Sequence, residues 1–230
     1  MTTGKQIFYL SGRLCTHAQW AFKLGREPLI VSAGMPRSGS TLLFNVVREL
    51  LMIKWERQLT AGWEGDFLSL PPGKAYLVKT HKFNSFYRLR SKRSFYSYRD
   101  IRSAIASRIK KTGKIVGIEF VRRHIKQYQI ARRHCDVCFS YERLTKNLEE
   151  VVIDVARSLG IPCDPERIRS KVMQLPLPGP ECRYSPVTLL HPNHFTQTSP
   201  TDWRRLLPES LQQEIGEEFA WWFEECGYEL

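Results

Sequence analysis

Cysteine is scarce in this sequence. Its six copies among 230 residues, at positions 15, 135, 138, 163, 182 and 226, are too few and too scattered for a disulfide framework, so a reducing compartment, the cytoplasm, is expected. Cys135 and Cys138 form one C-x-x-C without a second pair at zinc-ribbon spacing, which favours buried thiols over a metal site. Long hydrophobic runs are missing too. Arg48 and Glu49 interrupt the longest, and no apolar N-terminal core precedes a small-residue cleavage site, so neither a bilayer span nor export is expected. With 14 glycines and 13 prolines and no internal repeat, collagen, low-complexity chains and solenoids are excluded. What remains is 42% hydrophobic and 12% aromatic, enough to bury the core of one domain spanning residues 1–230.

Charge is unevenly spread. Between Arg88 and Arg133 stand 15 Lys/Arg against only Asp100 and Glu119, so this stretch accounts for the whole formal charge of +12. The segment from Pro208 to Leu230 holds seven Glu and no basic residue. A positive field so concentrated suits an anionic partner, whether nucleotide, nucleic acid, acidic glycan or membrane surface, although a solvated basic surface is the plainer alternative.

Leu29 to Ala33 is a short apolar run between Pro28 and Gly34, the pattern of a buried strand, and Leu42, Leu43, Val46, Val47 and Leu50 after it are spaced for a helix. Further strands are expected over Ala75–Val78, Ser94–Tyr98 and Asp136–Tyr141. Helices are expected after the Ser94–Tyr98 run, from Lys114 to Arg133, after an Asn147/Glu150 capping box, and from Pro208 onward. The stretch from Leu175 to Thr201 lacks periodicity and reads as a long loop. Strands alternating with helices predict an α/β fold of three layers, a mainly parallel central sheet flanked by helices, of the P-loop nucleotide-binding type.

Such sheets bind ligands beyond the carboxyl ends of their strands. There the first strand runs into Gly34-Met-Pro-Arg-Ser-Gly39, with the G-x4-G spacing of a Walker loop but Ser40 where its lysine belongs. Backbone N–H groups from Ser38 through Gly39, Ser40 and Thr41 can cradle a phosphate at a helix start. The cation for a γ-phosphate is absent, so ordinary ATP or GTP hydrolysis loses support. At the end of another strand Arg99 offers a bidentate fork, and Ser107, eight residues later, offers a hydroxyl.

Pro36-Arg-Ser-Gly-Ser-Thr-Leu-Leu43 resembles the 5′-phosphosulfate loop of sulfotransferases that use 3′-phosphoadenosine 5′-phosphosulfate (PAPS), and Tyr98 to Ser107 resembles their 3′-phosphate motif. Val78-Lys-Thr-His81 is similar to the Lys-Thr-His segment of hydroxyl-sulfating members. The resemblance implies PAPS as co-substrate and 3′,5′-adenosine bisphosphate (PAP) as product. It makes His81 the general base, Arg37 and Lys79 the cations that stabilise the leaving group, and Arg37, Ser38, Gly39, Ser40, Thr41, Arg99, Ser107 and Tyr141 the co-substrate contacts. Tyr141 would lie near adenine, and no metal is called for. Glu64 is the alternative base, since protein-tyrosine members use a Glu. Two departures stand out: Thr196-Gln-Thr198 replaces the family's Arg-Lys-Gly lid, and Leu42 replaces a Trp that stacks on adenine, which leaves two alternatives, weaker PAPS binding or substitution by Arg102, Arg204 or Arg205.

The resemblance implies an acceptor hydroxyl, on a phenol, a carbohydrate or a peptide tyrosine. Its pocket is expected from loops Thr60–Lys74, Phe83–Lys92 and Leu175–Thr201. Rival readings are a P-loop kinase, a PAPS-binding protein without catalysis, and a nucleic-acid binder that stacks bases on Phe86, Tyr87, Phe95 and Tyr96 among Arg88, Arg90, Lys92 and Arg93.

Overall fold

A computed structural model describes residues 19–192, 199 and 202–230. Cys15 and the Thr196–Thr198 segment lie outside the described residues. Five strands form one sheet: β1 (Leu29–Gly34), β2 (Leu59–Trp63), β3 (Ala75–Thr80), β4 (Ser91–Tyr98) and β5 (Val137–Ser140). Their order is β2-β3-β1-β4-β5, and every neighbouring pair is parallel. The helices are α1 (Ser40–Trp55), α2 (Ser85–Arg90), α3 (Ile101–Thr112), α4 (Ile118–His134), α5 (Tyr141–Lys146), α6 (Leu148–Leu159), α7 (Pro165–Met173), α8 (Trp203–Leu206) and α9 (Glu209–Cys226).

The period of two along β1 sorts its side chains between two cores. Leu29, Val31 and Ala33 face a cluster with Ile105, Val121, Ile125, Tyr128, Ile215 and Trp222, which come from α3, α4 and α9. Ile30 faces the opposite cluster, where Leu43, Val47 and Leu50 of α1 meet Val152 and Val155 of α6 and Ile168 of α7. The result is helices, sheet, helices. Since the chain steps from β1 outward to β2, returns to β3 and then crosses to β4, the sheet reverses its winding at β1. The crevice at its carboxyl end is where such sheets place a ligand.

Several elements differ from the sequence reading. β2 was expected within a loop; it is a half-buried edge strand, whose Gly62 leaves room for Leu70 where a Cβ would meet Leu70 Cδ1 at 2.5 Å. Phe83–Lys92 is no open loop: it holds α2, and Phe83 and Tyr87 enter the core. Asn147 occupies the N-cap of α6, yet its side chain makes no cap bond to the backbone and donates instead to Glu150 Oε1 at 3.2 Å. Its backbone also closes α5 by donating to the Arg143 carbonyl, and that double duty keeps it out of the extended conformation a capping side chain needs. Helix α7, absent from the sequence reading, begins with the Asp164 N-cap, whose side chain accepts from the Arg167 amide, and Pro165 in the first turn.

The aromatics offered for base stacking are core residues. Tyr87, Phe95 and Tyr96 are buried and Phe86 packs against the cluster that holds Tyr87 and Tyr96, so these four rings form no exposed stacking platform. Part of the basic stretch is answered internally by the acidic C-terminal helix. Arg122 of α4 pairs with Glu218 at 2.6 Å and Glu214 at 3.6 Å, and Arg132 reaches Glu225 at 3.6 Å.

Candidate active site

The turn after β1 is built on glycines and strain. Gly34 sits so tightly between β4 and α1 that a Cβ there would lie 2.1 Å from Ser97 Oγ and 2.9 Å from Ser40 Cβ. Arg37 (φ 67) and Gly39 (φ 75) both adopt the left-handed region. A β-carbon makes that conformation cost roughly 1–2 kcal/mol, so Arg37 is held there by its surroundings. The clamp is Ser38, fully buried. Its hydroxyl donates to the Met35 carbonyl (2.7 Å), lies 3.0 Å from the Ser97 carbonyl and 2.7 Å from Ser97 Oγ, and its amide closes a turn onto Met35 at 3.3 Å. The Ser38 side chain thus secures the loop to β4. Ser40 and Thr41 open α1, where first-turn amides have no intrahelical acceptor, and no acidic residue occupies that turn.

Around this turn gather the other residues singled out from the sequence. Arg37 Nε donates to Ser107 Oγ of α3 at 3.0 Å, and Arg99 donates to the Arg37 carbonyl at 3.4 Å. The Arg99 guanidinium carbon lies 4.0 Å from the centroid of the Tyr141 ring, which also flanks Gly39. The two anion pockets expected from sequence are therefore contiguous. Arg99 is only 4% exposed, and its Nε is buried without a hydrogen-bond partner among the described residues.

Lys79 and His81 sit at the end of β3, beside the loop. Lys79 is 7% exposed, and its ammonium lies 5.3 Å from the centroid of Trp63, its register neighbour on β2. Burial first, then the charges of Lys111 and Arg37, bring its pKa down to about 8. His81 Nδ1 is 2.7 Å from the Gly34 carbonyl. A carbonyl only accepts, so Nδ1 carries the hydrogen and the lone pair is left on Nε2. Burial, reinforced by the Lys79 charge, lowers its pKa to about 3. The imidazole is neutral across the physiological range. Glu64, the alternative base, is engaged elsewhere, accepting a short hydrogen bond from Thr80.

A cavity of about 210 Å³ opens beside His81, lined by Trp63, Lys79, His81, Arg183, Tyr184, Leu189 and His191. Two of the three loops expected to wall an acceptor pocket contribute, through Trp63 and through residues 183–191; Phe83–Lys92 does not line it. The individual residues of the third loop escaped the sequence reading because its irregular backbone leaves no periodicity to follow. Local bonds fix it: Leu189 (φ 57) donates to the Ser185 carbonyl, Ser185 to the Leu190 carbonyl, and buried Asn45 of α1 donates to the carbonyls of Thr41 and Thr188, both at 2.9 Å.

Of the substitutes for the missing lid, Arg102 is fully employed. It pairs with Asp100 at 2.8 Å, donates to the Glu229 carbonyl and lies 4.1 Å from the ring centroids of both Trp203 and Phe223. Arg204 packs over Trp203 at 4.5 Å, and Arg205 lies 3.8 Å from Asp202. Leu42 joins the α1 core cluster. Cys135 and Cys138 are free, partly buried thiols whose pKa values burial raises. Among the described residues no cluster of three or more His, Cys, Asp or Glu side chains is placed to hold a metal ion, and no helix is long and apolar enough to cross a membrane.

No protein-family model and no curated protein matches the sequence. Solved structures do match the fold. The mouse sulfotransferase SULT7A1 complexed with PAP aligns at a TM-score of 0.59 and 13% identity, over 85% of this chain and 84% of that one. Retinol dehydratase in complex with retinol and PAP gives 0.58 at 15% identity, over 89% and 83% of the two chains. Retinol dehydratase in complex with androsterone and the inactive cofactor PAP gives 0.55 at 15%, over 88% and 82%. The five-stranded parallel sheet with its flanking helices is the α/β fold of these PAP-bound proteins.

Proposed function

We propose that this chain is a PAPS-dependent sulfotransferase, moving a sulfuryl group to an acceptor hydroxyl with His81 as general base. The observation that carries the reading is Arg99: a buried guanidinium, one nitrogen unpartnered among the described residues, gathered with Ser107 and Arg37 around a glycine turn whose first helix amides have no intrahelical acceptor. Burying a cation without an anion is costly, and neither Arg99 nor Lys79 has a carboxylate partner among the described residues. A doubly phosphorylated adenosine supplies the missing negative charge at both places. The residues therefore fit PAPS, which when bound brings an activated sulfuryl group.

In this scheme the amides of Gly39, Ser40 and Thr41 hold the 5′-phosphosulfate, Arg99 and Ser107 hold the 3′-phosphate, and Tyr141 borders the adenine. Arg37 and Lys79 stabilise charge growing on the departing 5′-phosphate oxygens, an electrostatic role that Arg, a permanent cation, performs without giving up a proton. His81 Nε2 accepts the acceptor hydroxyl's proton, and the Gly34 carbonyl holds the ring in the tautomer that makes this possible. The low pKa of His81 comes first from burial and then from the Lys79 charge, and an anionic co-substrate beside Lys79 offsets the second of these.

The test is transfer of radiolabel from PAPS across a panel of hydroxyl acceptors, with His81→Ala alongside wild type. Turnover is expected to fall about a hundredfold or more in the variant while PAP binding stays within about threefold. Full activity in His81→Ala would move the base elsewhere.

A further inference from the structure

We infer that the acceptor is a small hydroxylated aromatic compound carrying a carboxylate or comparable anion, recognised by Arg183, which lines the same cavity as His81. The inference rests on the sulfuryl-transfer reading of the site and adds the substrate class.

Size comes first. At about 210 Å³ the cavity is below the roughly 300–1,000 Å³ of sites for drug-sized ligands, which admits a single ring in preference to a fused polycycle. Next is the chemistry of the walls. Trp63, Tyr184 and His191 give flat faces and Leu189 an aliphatic one, and the lining holds no carboxylate or amide side chain. Sugar hydroxyls need such paired donors and acceptors; an aromatic ring needs only faces to pack against.

Charge then selects among aromatics. Lys79 is committed to the co-substrate and His81 is neutral, but Arg183, an exposed residue, lines the same cavity and pairs with no carboxylate among the described residues. The carboxylate close by, Asp66, is held by a short hydrogen bond from the Tyr184 hydroxyl. Arg183 has its guanidinium carbon 5.5 Å from the Tyr184 ring centroid, and its own carbonyl accepts from His191 Nδ1 at 2.7 Å, so the backbone that carries it is braced at the cavity wall. A guanidinium fork so placed matches a carboxylate bidentately. The wall is a built feature: Asn45 ties Thr188 to the helix of the phosphate-binding turn, and Leu189 is kept in the left-handed region facing the cavity.

The experiment compares 3-(4-hydroxyphenyl)propionate, its amide and tyramine as acceptors at fixed saturating PAPS, in wild type and Arg183→Gln. The acid is expected to exceed the amide at least about tenfold in kcat/KM, with tyramine slowest. In Arg183→Gln that ratio should fall below about twofold. Sulfation of the amide as fast as the acid, or an acid preference that survives Arg183→Gln, overturns the inference and leaves the sulfuryl-transfer reading intact. If no acceptor is sulfated but PAP binds, the melting temperature of the PAP complex with acid against amide decides: a larger shift for the acid, lost in Arg183→Gln, supports the inference, and equal shifts overturn it. Absence of both sulfation and PAP binding removes the underlying reading and the inference with it.

Discussion

Two titrations at neighbouring residues set the pH behaviour of the site. Lys79 has a pKa of about 8, so kcat/KM for PAPS should decline as pH rises past 8 while the ammonium loses its proton. Lys79→Met should abolish that limb along with most of the activity; a profile flat from pH 7 to 10 would show Lys79 outside the mechanism. His81 acts oppositely on stability. Its pKa is about 3 in the native state and near 6.5 when unfolded, so the unfolded chain binds the proton first and stability falls as pH drops from about 6.5 toward 3. The loss has a ceiling of about 1.4 kcal/mol per pH unit. Urea unfolding at pH 7 and pH 5 checks this: His81→Gln should lose less stability than wild type over that interval, and an identical loss would mean His81 is solvated.

At the scale of elements, Arg102 joins the start of α3 to α8 and the chain's C-terminal residues. Its side chain is 5% exposed and that of Asp100 11%, so Arg102→Ala removes the guanidinium from a buried carboxylate, leaving it the amide of residue 102, and uncovers Trp203 and Phe223. A loss of about 3–5 kcal/mol in denaturant unfolding is expected; a loss under about 1 kcal/mol would mean the pair is not part of the packing. The elements most legible in the sequence were those with a strong local signature. β1 is a bounded apolar run, the α1 stripe is periodic, and the glycine turn between them has fixed spacing. Weakly patterned elements were hidden, as with β2, where Thr60 and Gly62 dilute an edge strand, and α2, which is only six residues long. Candidate site residues in motifs were named one by one. Arg183, Tyr184, Leu189 and His191 were not, since their approach to His81 depends on a long-range tether from Asn45 that leaves no local pattern.

Across the whole molecule, the charge pattern has two uses. The acidic face of α9 neutralises part of α4 through Arg122 and Arg132, while Arg37, Arg99 and Lys79 stay clustered beside the glycine turn, close enough for the charge of Arg99 to act on Arg37 and that of Arg37 on Lys79. Oligonucleotide binding should therefore be weak and vanish by about 0.15 M salt, where exposed charges are screened within about 8 Å, whereas PAP binding in the buried site should persist. Tight salt-resistant oligonucleotide binding in a filter assay would restore the nucleic-acid reading. If one site grips both phosphate groups of a single adenosine, as proposed above, the most direct measurement is calorimetric titration with PAP and with 5′-AMP, which lacks the 3′-phosphate. PAP is expected to bind at least about a hundredfold more tightly than 5′-AMP, and Arg99→Ala to remove most of that difference, a loss of the order of 2–3 kcal/mol. Equal affinity for the two nucleotides, or a preference for PAP that Arg99→Ala leaves unchanged, would contradict it.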